Sequence, residues 1–276
     1  MRQTQGSMIC PKCGRLIGVT EAQCPYCGAW RPGLYGWSPV LQRFFGNRVD
    51  LIAIIVMSCV ALYVASLLLD PGAILRGGLG FGVLSPSPRA LYQLGMTSRK
   101  VFQMGWWWTV LTAIYLHGGL LHIFFNLMVV RIVGPTVVQA YGPARTFVIF
   151  SIAGAVGFIL SDLVSSAYTI GASGSVYGLF AALIVFGRRH GHSMLTSQIW
   201  QWVIINVVIS FALPNVNIWA HAGGFAGGWV TAELMRSSEE KRESPGVQLL
   251  ALALLIVTAV GIPLSFVRVT ALMLAR

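Results

Sequence analysis

Gly171-Ala172-Ser173-Gly174 opens one short apolar stretch, and Ala220-His221-Ala222-Gly223-Gly224 opens another further along the chain. Their reading decides the fold. A serine flanked by glycines and a distant histidine are both set in sequence apolar enough for a bilayer. A strongly polar group in that setting costs free energy and points to a purpose beyond solvation. A third polar cluster precedes them: His117-Gly118-Gly119-Leu120-Leu121-His122-Ile123-Phe124-Phe125-Asn126.

The composition agrees with a membrane setting. Of 276 residues, 56% are hydrophobic and only 10% charged, with a mean hydropathy of +0.73. Soluble domains carry about 25% charged residues. Leu51–Leu69 and Val247–Val267 are uncharged or nearly so, and roughly 20 apolar residues cross a hydrocarbon core. Between them lie apolar stretches at about Gly119–Val138, Arg145–Ser161, Ser173–Gly187 and Ile199–Leu213, then a Gly-rich one at His221–Glu233. Seven spans of an all-α membrane protein are expected. The Ser173 and His221 stretches are short, which fits helices that begin part-way down beneath a re-entrant loop. The first 48 residues are polar, so the first apolar run comes too late for a cleaved signal peptide.

The net charge of +11 has a topological explanation. With the N-terminus in the cytosol, that side receives thirteen cations: Arg2, Lys12, Arg15, Arg31, Arg43, Arg48, Arg131, Arg145, Arg188, Arg189, Arg236, Lys241 and Arg242. The outer side receives six: Arg76, Arg89, Arg99, Lys100, Arg268 and Arg276. This bias obeys the positive-inside rule. It speaks for a multi-pass cell-membrane protein and against nucleic acid as a partner.

Cys10-Pro11-Lys12-Cys13-Gly14 and Cys24-Pro25-Tyr26-Cys27-Gly28 are two copies of a C-P-x-C-G knuckle. Four thiolates in two CxxC pairs suit tetrahedral zinc, and a four-Cys site is closed, hence structural. Stable disulfides are disfavoured on a cytosolic side. The module leaves room for a cytosolic partner. The fifth cysteine, Cys59, falls mid-span and reads as packing.

Chemistry assigns roles in the membrane. His122 and Asn126 are one helical turn apart and share a face, as do Ser173 and Tyr177. His221, Gly224 and Gly228 share another, and Gly174 with Gly178 supplies a matching small face that permits close helix approach. Ser173 needs a base to become nucleophilic, and His221 can take its proton. His122, Asn126 and the Ser173 backbone N–H are candidate oxyanion donors. Tyr177 is expected to stack on or bond near the His221 ring. The eight acids include none inside a span beside His221, so a dyad is expected and not a triad. Paired intramembrane carboxylates and a His-Glu-x-x-His helix are both missing from the sequence, which removes aspartyl and zinc membrane proteases. Asp162 reads as an interfacial loop carboxylate.

These residues resemble the rhomboid family of intramembrane serine proteases. The likeness lies in His117, His122 and Asn126, in Gly171-Ala172-Ser173-Gly174 with Tyr177, and in Ala220-His221-x-x-Gly224-x-x-x-Gly228, over about residues 49–235. The resemblance implies a six-helix core with a Ser173–His221 dyad opening to the extracytoplasmic side, and no catalytic cofactor. Transmembrane proteins would be the substrates. It also implies that residues 70–118 form a large, partly embedded first loop, and that the last apolar run is an appended seventh helix. One departure stands out: Trp106-Trp107-Trp108-Thr109 places Thr109 where the family usually carries Arg. The expected organisation is a zinc-ribbon-like module over 1–32, a linker over 33–48, the core over 49–235, a solvated linker over 236–246 and the seventh helix over 247–268. The competing readings are a non-catalytic rhomboid-like protein that binds client helices, and a membrane-tethered zinc adaptor.

Overall fold

The computed structural model describes residues 3–37, 50–74, 83–212, 216–235, 237 and 243–275. The expected linker over 33–48 and the run 236–246 therefore lie largely outside the described residues. The chain divides into two units, an N-terminal module and a helical membrane body, taken here in turn.

In the module, strands β1 (Ser7–Ile9) and β2 (Leu16–Gly18) pair antiparallel with Met8 opposite Ile17. Met8, Ile17 and Val19 bury their side chains against Cys10 and Cys24. So small a core cannot stabilise a fold of this size by burial alone. A cross-link of another kind is needed.

Among the described residues, the membrane body has seven long helices: α1 (Leu51–Leu69), α2 (Leu120–Tyr141), α3 (Pro143–Val164), α4 (Ser173–Arg189), α5 (Ser193–Ala212), α6 (Ile218–Leu234) and α7 (Pro245–Leu274). Five of them, all but α4 and α6, are long and apolar enough to span a bilayer. At about 1.5 Å per residue, the 17 residues of α4 and of α6 reach roughly 25 Å, short of a hydrocarbon core of about 30 Å. Protein surrounds α4, whose residues from Gly174 to Gly187 are all buried. Exposed apolar side chains such as Ile204, Val208 and Phe211 on α5 face outward, as lipid contact requires.

Close helix contact is built from glycine. A Cβ on Gly224 of α6 would collide with the Gly174 carbonyl of α4, and one on Gly228 with the Gly178 backbone. A Cβ on Gly157 of α3 would collide with the Ala220 carbonyl. Thus α3, α4 and α6 meet backbone to backbone at the level of Ser173 and His221. Cys59 is fully buried, on the α1 stripe of Ile52, Ile55, Val56 and Tyr63 that faces the bundle.

The segment from residue 83 to 119 carries three short helices, Pro88–Gln93, Arg99–Gln103 and Thr109–Thr112. The first two are capped by the hydroxyls of Ser87 and Ser98. Asp162 belongs to the last turn of α3, not to a loop, and is 5% exposed. Its carboxylate accepts from the Thr97 hydroxyl, and Thr97 in turn accepts from Thr109. Arg99 donates to the carbonyls of Asp162 and Leu163, satisfying orphan acceptors at the end of α3. Thr109 is thus completely buried in a bonded network that ties the loop to α3.

The seventh helix is part of this packing. Trp108 Nε1 donates to Ser265 Oγ at 2.9 Å, and Arg268 lies over the rings of Trp106 and Trp108. Of the charges counted by side, Arg131 is exposed in the middle of α2, and Arg268 is within α7. Glu243, expected as part of a solvated linker, accepts from the backbone N–H of Arg145 in the first turn of α3 at 2.9 Å. That carboxylate sits at a helix N-terminus, where the helix dipole favours it.

Adding one methyl group at the glycine crossing has a defined outcome. Gly228→Ala should lower thermal stability in detergent by roughly 1–3 kcal/mol, the cost of overpacking. Ala226→Val, on the exposed face of the same helix, should leave the melting temperature nearly unchanged.

Candidate active site

Ser173 is the first residue of α4, next to the Gly174–Gly224 contact, and His221 is in the first turn of α6, next to Ala220. Both residues are thus next in sequence to groups of the α4–α6 contact, Gly174 and Ala220. One turn below Ser173, the Tyr177 ring stacks on the His221 ring with centroids 4.4 Å apart and planes 18° apart. Among the described residues the Ser173 hydroxyl has no hydrogen bond to this ring. Such bonds are often long before substrate is bound.

The start of α6 is set by Asn217, which the sequence reading did not single out. Its side chain accepts from Ala220 N at 3.1 Å as the N-cap. Its amide also donates to Ser161 at 2.6 Å and to Thr169 at 3.1 Å. One residue thus fixes the His221 helix to α3 and to the loop that precedes Ser173. Asparagine before an apolar run is a helix-start signal, but its cross-links are visible only in three dimensions. Ser210 of α5 is a second such residue: it is buried, with its Oγ 3.2 Å from His221 Nδ1.

The first cluster surrounds the Gly171 turn. Gly118 N–H donates to His122 Nδ1 at 3.3 Å, so the neutral ring carries its proton on Nε2. That nitrogen faces Gly171, where a Cβ would come within 2.6 Å of it. Gly171 also holds φ +114°, a left-handed conformation that side chains disfavour. Its N–H donates to the Ala113 carbonyl at 2.9 Å, pinning the turn. His117 is fully buried, with its ring 5.1 Å from that of His122. Asn126 donates one amide N–H to the His122 carbonyl at 2.8 Å, which leaves its second N–H uncommitted among the described residues.

The N-terminal cysteines form a separate site. All four Sγ atoms lie within 4.8 Å of one another. Cys10 and Cys27 are separated by 3.8 Å, and Cys13 and Cys24 by 3.7 Å. These are far from a disulfide. They match the edge of about 3.8 Å expected of a tetrahedron with Zn–S bonds of about 2.3 Å. Gly14 and Gly28, both at positive φ, donate at 2.9 Å to the carbonyls of Cys10 and Cys24. Burial disfavours a Cys24 thiolate, but hydrogen bonds from the Tyr26 and Cys27 backbone and from neighbouring thiols outweigh it, bringing the pKa down to about 7. The donor set fits zinc, which would supply the cross-link that the small core lacks.

A multi-pass helical membrane protein with polar side chains gathered at the start of a short, buried helix is thereby defined. Residues 104–238 match the family model described as Rhomboid domain. The rhomboid protease GluP of Bacillus subtilis is 33% identical over 180 residues, covering 64% of this chain and 35% of that protein. RHOMBOID-like protein 5 of Arabidopsis thaliana is 30% identical over 158 residues, 53% of this chain and 50% of that one. Rhomboid-like protease 5 of Toxoplasma gondii is 29% identical over 153 residues, 52% of this chain and 18% of that one. The chain thus spans half or less of these relatives. Residues 104–238 thus form a Rhomboid domain, and the members of that family are in general intramembrane serine proteases.

Two measurements follow. Asn217→Ala should cost about 1 kcal/mol or more, the loss of an N-cap plus two cross-links, read as a drop in melting temperature; Asn217→Asp, which keeps the cap acceptor, should recover part of it. The purified chain should hold one zinc by elemental analysis. Cys10→Ser with Cys24→Ser should abolish that zinc while the helical circular dichroism of the membrane body persists.

Proposed function

We propose that the chain is an intramembrane serine endopeptidase that cleaves transmembrane segments of membrane proteins through a Ser173–His221 dyad. The observation that supports this reading is the α4–α6 crossing, where a Cβ on Gly174 would lie 3.1 Å from the Ala220 carbonyl, so that the residues next in sequence to the contact are Ser173 and His221. In this mechanism His221 Nε2 takes the Ser173 hydroxyl proton as Oγ attacks the scissile carbonyl carbon. The resulting oxyanion is met by His122 Nε2–H, the free Asn126 amide N–H and the Ser173 backbone N–H. A well-placed donor of this kind contributes about 3–4 kcal/mol. The tetrahedral intermediate collapses as His221 returns the proton to the leaving amine, and water, deprotonated by the same imidazole, then hydrolyses the acyl-enzyme. Tyr177 holds the ring flat, and Gly171 keeps space for His122.

Substrate access has a route. A cavity of about 430 Å³ lies between α5 and α6, lined by apolar side chains such as Trp200, Val207 and Phe225 and reaching His221. An unwound stretch of a substrate helix fits such a groove, since the polar backbone it exposes would meet polar groups at the far end. The Lys and Arg distribution favours a cytosolic N-terminus and a site opening to the extracytoplasmic side. No catalytic step needs a metal, so the zinc module is structural and available for a cytosolic partner. A second reading, a non-catalytic rhomboid-like protein that binds client helices, rests on Thr109 in place of arginine. The bonded network around Thr109 weakens it, because the loop is held without that arginine.

The deciding experiment is labelling of the detergent-solubilised protein with a fluorophosphonate probe, alongside cleavage of a single-span model substrate. Both should be present in the wild type and lost in Ser173→Ala and in His221→Ala. Labelling unchanged in both variants refutes the dyad; binding of the substrate without cleavage by the wild type selects the second reading.

A further inference from the structure

The fifth helix carries a hydroxyl that neither the dyad nor the oxyanion site employs. Ser210 is 8% exposed, and its Oγ is 3.2 Å from His221 Nδ1. The same Oγ donates to the Asn206 carbonyl one turn earlier at 2.7 Å. A hydroxyl has a single proton. With that proton committed to Asn206, Ser210 can only accept from the imidazole, so Nδ1 must be the protonated nitrogen. Nε2 is then the bare, basic one. The direction of a buried hydrogen-bond chain, His221 Nδ1–H to Ser210 Oγ–H to Asn206 carbonyl, therefore fixes which face of the ring is a base.

We propose that Ser210 is a positioning residue for His221: it holds the imidazole in the Nδ1–H tautomer and stabilises the imidazolium that forms when Nε2 accepts a proton. This inference rests on the hydrolase reading for its consequence, though not for its geometry. In hydrolases with three-membered catalytic sets, a carboxylate plays the corresponding part at Nδ1. A carboxylate buried in lipid carries a heavy desolvation cost, and a neutral hydroxyl whose own proton is already bonded does the orienting work without it. Ring stacking by Tyr177 fixes the plane of the imidazole but leaves its tautomer free, so the two contacts are complementary.

Placement on α5 adds a consequence. Ser210 lines the same cavity as His221, on the wall opposite α6. Displacement of α5 from α6 would therefore break the Nδ1 bond, and the competence of the base is coupled to the position of that helix.

The test has two readouts. With ¹⁵N-histidine labelling in detergent, the signals of His221, assigned by their loss in His221→Ala, should show a protonated Nδ1 and a bare Nε2 in the wild type. That tautomer preference should disappear in Ser210→Ala and return in Ser210→Thr, which keeps the hydroxyl. On the model substrate, Ser210→Ala should lower kcat about tenfold or more, the scale typical of partners that orient a functional imidazole, with KM little changed and Ser210→Thr largely restored. A bare Nδ1 in the wild type, or a tautomer unaffected by Ser210→Ala in a variant that keeps its melting temperature, overturns the proposal. A wild type that neither labels nor cleaves refutes the hydrolase reading, while the nitrogen signals still decide the role of Ser210.

Discussion

The structure depends on a backbone contact with no side chain in it. At Gly174–Gly224 and Gly178–Gly228 two short helices touch so closely that a single Cβ would force them apart. In lipid, where apolar burial drives little helix association, such packing is the available source of affinity between helices. The contact also brings the start of one helix to the start of the other: a Cβ on Gly174 would lie 3.1 Å from the Ala220 carbonyl.

Around that contact the polar groups are bonded into fixed directions. Asn217 joins the start of α6 to Ser161 and Thr169. Asp162, Thr97, Thr109 and Arg99 lace the loop to the end of α3. Buried groups of this kind are costly when unpaired and rigid when satisfied, so these hydrogen bonds hold the loop and the start of α6 against the end of α3. The two histidines have opposite partners at Nδ1. A backbone N–H meets Nδ1 of His122, whereas a hydroxyl whose own proton goes to a carbonyl meets Nδ1 of His221.

The seventh helix and the zinc module show two ways of extending a core. The helix is no simple appendage, since its Ser265, Gly261 and Arg268 take up Trp106 and Trp108 of the loop. The module is self-contained: a two-stranded hairpin and four cysteines at tetrahedral spacing need only a metal ion to be stable.

Much of this was legible in the chain itself. Long uncharged runs announce spans, paired CxxC knuckles announce a metal, and small residues four apart announce close helices, because each is a local pattern with a local physical cause. The spacing of Gly224 and Gly228 even names the face that packs. Asp162 was misread as a loop carboxylate, since its position in the last turn of α3 depends on where that helix ends. Thr109 looked like a defect because its partners, Thr97 and Trp106, are brought to it by folding. Ser210 carried no signal at all: a lone serine in an apolar span usually bonds its own helix, as this one also does. Sequence alone determined the membrane class, the helices and which residue types supply the chemistry. Only the tertiary structure decided which hydroxyl meets which ring nitrogen, because hydrogen-bond direction is a property of atoms from different helices at about 3 Å, and no pattern along one chain encodes it.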